Sequence, residues 1–220
     1  MNLKKLQQIG GIAAVLEACI YIFTFIIFGS VLVQPNPEAD AAEKLAFLAD
    51  NYRLLTVVNF LSYIVFGIIL AVLVVAIHER FKNRVPRMSK LIAIFGFTWV
   101  VLVIASGMIS NIGLQKVVTL FAKTPENAMQ IWSSVTIITE GLGGGNEIVG
   151  GVWVLLISCV ALDQNLLSKS LNLLGTIVGV VGIFTIYPLE EITIIFGVTQ
   201  IVWFLWIGLF MIQKPLGVRS

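Results

Sequence analysis

The chain has 220 residues, 58% of them hydrophobic and only 12% charged. Soluble domains carry roughly 25% charged residues, and no soluble core of this size could hide so much apolar surface. The net charge of +2 is too small to point to nucleic acid as a partner.

The apolar residues fall in runs of about 20, the length that crosses ~30 Å of hydrocarbon. The expected fold is all-α, one polytopic membrane helical bundle over residues 1–220. Six transmembrane helices are predicted, near 9–33, 55–78, 90–112, 138–161, 168–187 and 189–212, with short extracytoplasmic amphipathic helices between some of them. The start, MNLKKLQQIGG, resembles a signal peptide in its basic residues. The run that follows is too long, contains Glu17 and lacks an A-x-A cleavage site, so it reads as a retained first span.

After the first span, PNPEADAAEKLAFLADNYRLL (35–55) reads as an amphipathic helix. Asn36 is the expected N-cap, Pro37 the first helical residue, and Ala41, Leu45, Leu48 and Tyr52 share a face. This helix should lie on the outer membrane surface, or cap the bundle with a second one. The loop 78–90, HERFKNRVPRMSK, is the strongest topological anchor. With an inner N-terminus, Lys4, Lys5, Arg80, Lys82, Arg84, Arg87, Lys90, Lys169, Lys214 and Arg219 lie inside. Only Lys44, Arg53, Lys116 and Lys123 lie outside. The bias predicts that both termini are cytoplasmic.

Thr124-Pro125-Glu126 is a second helix start outside the membrane, so span four should begin well beyond the bilayer and break at the glycines 141–145. Within it lies Glu147. On a continuous helix its same-face neighbours are Gly143, Gly144, Gly150 and Gly151, a groove for another backbone or a small ligand. Gly175, Gly179 and Gly182 form a close-packing face on span five. Pro188 is expected to open span six, with Glu190 and Glu191 favourably placed at its positive dipole end.

Two carboxylates fall deep, Glu17 and Glu147, each about eight or nine residues inside its span and so near the midplane. An ionised carboxylate there costs ~3 kcal/mol on the insertion scale. No Arg or Lys lies at that depth, so the proton-bound form is the expected resting state. Such a carboxyl can exchange its proton with a ligand, or serve only as a buried structural hydrogen bond. Candidate ligand- or proton-binding residues are Glu147, Glu17, Asn146, Tyr21, Gln200, Asn59 and Tyr63. Thr24 extends the face of Glu17 and Tyr21, and Ser62 lies beside Tyr63. Ser106, Ser110 and Asn111 form a stripe on span three, and Thr193 and Gly197 precede Gln200 on span six. A three-plus-three division puts Glu17 and Glu147 in matching places after Gly-rich starts, the layout of an inverted repeat.

The two cysteines, Cys19 and Cys159, lie in apolar runs and suggest neither a disulfide framework nor a zinc site. The single histidine, His78, cannot supply a histidine metal cluster or bis-imidazole haem ligation. No metal and no cofactor is expected, and no lysine is deep enough for a Schiff base to retinal. Multi-histidine lipid hydrolases are disfavoured; carboxylate-only chemistry stays open.

NEIVGGVWVLL (146–156), LNLLGTIVGVVGIF (171–184) and FGVTQIVWFLWIGLFM (196–211) together resemble a bacterial family of small six-span membrane proteins defined only as a domain of unknown function. The resemblance covers spans four to six best and spans one to three in layout. It implies the architecture and a prokaryotic inner (plasma) membrane, and supplies no catalytic residues. The sequence therefore supports a lipid-embedded protein of small-molecule or lipid binding or transport type, with a pocket between spans one, four and six. The alternative is a non-catalytic structural, sensory or accessory subunit with a membrane-protein partner.

Overall fold

The computed structural model describes residues 2–144, 147–187 and 189–214. Among these, every regular element is helical: α1 (Leu3–Ile26), α2 (Ala41–Asp50), α3 (Tyr52–Asn59), α4 (Phe66–Phe81), α5 (Pro86–Phe121), α6 (Pro125–Thr139), α7 (Ile148–Gln164), α8 (Lys169–Phe184) and α9 (Glu190–Gln213). Five segments are long and apolar enough to cross a membrane: Leu3–Val31, Tyr52–Phe81, Pro86–Phe121, Pro125–Gln164 and Glu191–Gln213. The expected fifth span is α8. Its 16 residues reach about 24 Å, short of the ~30 Å of hydrocarbon.

Six helices close a ring. α1 lies beside α4, α4 beside α5, α5 beside α7, α7 beside α8, α8 beside α9, and α9 returns to α1. Glycines set the closest approaches. A Cβ on Gly151 would lie 2.8 Å from the Gly182 carbonyl carbon and 2.9 Å from the Gly179 oxygen, so α7 and α8 touch backbone to backbone. Gly11 and Gly208 do the same for α1 and α9, each Cβ meeting the other's carbonyl oxygen at 2.7 Å. The glycine face expected on the 168–187 segment is therefore a packing face.

At one end of the ring, α1, α4 and α9 are tied by Arg80. Its guanidinium donates to Gln7 Oε1 (3.0 Å) and to the Lys214 carbonyl (3.3 Å), and lies 5.0 Å from the centre of the Phe210 ring. Gln7 in turn donates to the Ala76 carbonyl at 2.7 Å. At the other end, α5 runs on past the ring; its 36 residues span about 54 Å. There it pairs with α6 and α2 around a second core of Leu32, Leu45, Leu48, Leu55, Leu114, Val117 and Ala128. The apolar face of α2 is thus spent on protein. Its N-cap is Asp40, which accepts from the Glu43 N–H at 2.8 Å. Asn36 instead closes a turn by accepting from the Glu38 N–H, because four residues separate it from the first helical turn.

Three π-helical turns interrupt the helices at this same end: Ile27–Val31, Phe60–Val65 and Glu140–Gly144. The third contains Gly143 at φ 108°, a left-handed conformation open to glycine at little cost. The break expected within glycines 141–145 is therefore present. Glu147 follows it as the residue before α7, not inside a continuous helix. The four-glycine frame around Glu147 does not form: Gly150 packs on Trp99 and Gly151 on α8.

Leucine at Gly151 or Gly179 must force α7 from α8, since backbone cannot yield as a side chain can. Overpacking typically costs about 1–3 kcal/mol, and either variant should show a clear fall in melting temperature in detergent. Gly29→Ala meets nothing within 4 Å and should melt like wild type.

Candidate functional site

A cavity of about 260 Å³ lies near the π-helical end of the ring. Its wall comes from α1 (Tyr21, Thr24, Phe25), the second π turn (Ser62, Tyr63), α4 (Phe66), α5 (Trp99, Val103), Glu147, and α9 (Thr193, Phe196, Gly197). The expected pocket between spans one, four and six thus has two further walls, from spans two and three. Each polar member has a local reason for its place. Thr24 Oγ1 donates to the Ile20 carbonyl and lies 2.6 Å from Ser62 Oγ, joining α1 to the second π turn. Gly197 makes room, because a Cβ there would lie 2.7 Å from the Phe25 ring.

Glu147 is held by its backbone. Its N–H, freed by the helix break, donates to Thr185 Oγ1 at 2.8 Å, while the same hydroxyl donates to the Gly182 carbonyl at 2.7 Å. The Thr185 hydroxyl at the end of α8 therefore fixes where α7 begins. The carboxylate faces the cavity. Its Oε2 is buried without a hydrogen-bond partner. The Trp99 indole N–H lies beside it without closing a full hydrogen bond.

The cavity floor is aromatic. Tyr21 meets Phe66 edge-on (ring centres 5.5 Å apart), Phe66 meets Trp99 (5.8 Å), and Trp99 stacks on Phe204 with planes 6° apart. Trp153 and Trp203 continue the layer at 5.7 Å from Trp99 and 5.5 Å from Phe204 respectively. Gly150 seats it, since a Cβ there would come within 2.7 Å of the Trp99 ring.

The candidate residues separate into three groups. Glu147, Tyr21 and Tyr63 line the cavity. Glu17 and Gln200 are 0% exposed and do not line it; neither Glu17 oxygen and neither Gln200 amide atom has a hydrogen-bond partner. Glu17 lies one turn along α1 from Tyr21, whose hydroxyl feels both Glu147 and Glu17. Asn59 lies elsewhere, donating to Asn111 Oδ1 at 3.2 Å, and borders an adjoining crevice that shares Tyr63 and Phe28 with the cavity and also holds Glu140. Asn146 lies outside the described residues, as does Pro188.

Glu147 stands at the head of α7, about 25 Å along the helix from Gln164, whereas Glu17 sits inside α1. Ser106 bonds the Thr139 carbonyl (3.4 Å) and Asn111 the Thr56 carbonyl (3.3 Å), so these two members of the span-three stripe join helices. The sequence reading missed Trp99, Phe25, Phe28 and Thr185. A signal existed for Trp99: an apolar helix carrying a large ring needs a glycine opposite, and Gly150 supplies it. Among the described residues, no three His, Cys, Asp or Glu side chains gather in a way that could hold a metal ion.

No family model matches the chain, and no curated protein or solved structure is significantly similar to it.

Replacing Thr185 with valine strands the Glu147 N–H in an apolar setting, while the Gly182 carbonyl keeps the Thr185 backbone N–H. Each buried unpaired group costs about 1–3 kcal/mol. Thr185→Val should lower the melting temperature and change tryptophan emission through Trp99, while Thr185→Ser retains both.

Proposed function

We propose that this protein is a multi-pass membrane protein of binding or transport type, taking a small or lipidic molecule into the Glu147 cavity with proton exchange on that carboxyl. One observation carries the reading. A carboxylate with an unpartnered oxygen opens into an aromatic cavity, inside a chain whose other inner polar side chains are mostly enclosed. Ionisable groups within a membrane bundle usually mark a ligand or ion path. Two of the π turns line the cavity, through Phe28 and through Ser62 and Tyr63, and point the same way, since such turns often accompany functional sites. Tyr63 shares the cavity wall with Glu147 and the adjoining crevice with Glu140, so polar groups continue from the carboxyl toward the second core.

The proposed setting is a bacterial inner (plasma) membrane with both termini cytoplasmic. It rests on the bias of Lys and Arg between the loops and on the resemblance to the six-span family of unknown function. In that arrangement α8 crosses as the fifth span within a locally thinned hydrocarbon layer, and α2, α6 and the second core lie outside the cytoplasm. The rival reading, a non-catalytic structural, sensory or accessory subunit, is favoured by the Asn59–Asn111 and Ser106–Thr139 bonds, which serve cohesion alone.

Native mass spectrometry in mild detergent separates the two. A reproducible bound mass that Glu147→Gln removes is expected. A clean apo mass in both proteins, with the variant equally folded, would overturn the binding reading and favour the subunit. For topology, Cys19 and Cys159 are first replaced by serine. A membrane-impermeant maleimide applied from outside should then label Lys123→Cys and Leu189→Cys, and spare Arg84→Cys and Asn165→Cys. Labelling of positions 165 and 189 from the same side would show that α8 does not cross.

A further inference from the structure

We infer that the ligand of the Glu147 cavity is a hydrophobic organic cation, an amine or quaternary ammonium, which binds as the carboxyl gives up its proton. This rests on the binding reading above and names the chemistry of that site. The cavity presents one carboxylate and the aromatic side chains of Tyr21, Tyr63, Phe66, Trp99, Phe25 and Phe196. Ring faces carry negative quadrupole density, and several rings about one point are how proteins hold quaternary ammonium groups. Among the described lining residues there is no Lys, Arg or His. An anionic headgroup would meet a like charge and no counter-charge. A cation meets Glu147 and the rings together.

The wall also shows how such a molecule enters. Phe25 and Phe28, 38% and 37% exposed, stand at the outer face of the bundle beside Gly197 and Thr193. The cavity therefore opens sideways between the end of α1 and the start of α9, toward lipid. An apolar tail can remain in that opening while the charged head reaches Glu147. Thr24, Ser62 and Thr193 add hydroxyls for an N–H donor.

Charge balance is simple. Empty, the site holds a neutral carboxyl. Loaded, it holds a carboxylate and a cation, also neutral, and the proton has gone to water. Among the described residues, the titratable groups around Glu147 are Tyr21 and Glu17 on α1, Tyr63 on the second π turn and Glu140 on the third. α5 contributes Trp99, α8 the Thr185 hydroxyl, and α9 Thr193. Glu17 lies beyond Tyr21 and outside the cavity wall, so Glu147 is the group that exchanges.

The test compares benzyltrimethylammonium with neopentylbenzene, its neutral isostere, on the full protein in mild detergent. Tryptophan fluorescence reads binding, and a pH indicator in weak buffer reads proton release. The cation is expected to bind and release a proton. Its apparent affinity should fall about tenfold per pH unit in acid, where a proton competes for the carboxyl. Glu147→Gln should abolish the proton release and weaken binding. Trp99→Leu, which keeps the carboxylate, should weaken the cation about tenfold or more and leave the isostere unchanged. Glu17→Gln should leave proton release intact. Equal binding of cation and isostere with no proton released would overturn the cation inference while leaving a binding cavity standing. No binding of either probe, together with a clean apo mass in wild type and Glu147→Gln, would overturn both readings.

Discussion

Backbone N–H and C=O groups within hydrocarbon must find partners inside the protein, because lipid offers none. That constraint organises this molecule around the break at Gly143. A helix that breaks frees several backbone groups, and the break survives only where something else takes them. Here the Thr185 hydroxyl takes the Glu147 N–H and gives its own proton to the Gly182 carbonyl. One side chain at the end of α8 thereby closes off α8 and starts α7. The Glu147 carboxylate faces the cavity because its backbone is held in this way. Without the break it would lie one face of a continuous helix away, among packed glycines.

The contact that positions Thr185 is itself a consequence of glycine. Gly151 and Gly182 bring α7 and α8 into backbone contact, so the end of one helix reaches the start of the other. The same device recurs between α1 and α9 at Gly11 and Gly208. The α1–α9 approach draws the ring tight toward its Arg80 end, where α1, α4 and α9 are also tied by hydrogen bonds, while the α7–α8 approach lies beside Thr185. The π turns do the opposite at the other end. Each widens its helix locally; two of them line the cavity and the third borders the adjoining crevice. The bundle is thus narrow at one end and open at the other, with the aromatic layer from Tyr21 to Trp203 marking the change.

Much of this frame was legible in sequence for a physical reason. Apolar run length and glycine spacing are local properties, and they located the bundle, the small-residue face on α8 and the break near residue 143. Glu147, Tyr21 and Tyr63 could be picked out because an ionisable or phenolic group in an apolar run is conspicuous wherever it ends up. What was not legible depends on partners distant in sequence. Asn59 looks the same in the chain whether it faces a ligand or bonds Asn111, and only tertiary contact decides. Thr185 looks like an ordinary residue in a turn. Its role depends on a backbone N–H 38 positions away. Asn36 was the better cap by composition, yet Asp40 won, because it is the residue directly before the first helical turn.

The two buried glutamates show why depth alone does not define a site. Both lie in apolar surroundings, and both have oxygens without hydrogen-bond partners. Glu17 is enclosed by packed helices, so a change in its protonation has no ligand to answer to. Tyr21, one turn along α1 from Glu17, lines the cavity and stands within electrostatic reach of both carboxyls. Glu147 borders open space and adjoins Tyr63, which leads on to Glu140 at the rim of the neighbouring crevice. Of the two, only Glu147 borders room for a ligand. In the proposed reading Glu17 therefore takes no part in the exchange: it lies outside the cavity wall, enclosed by packed helices.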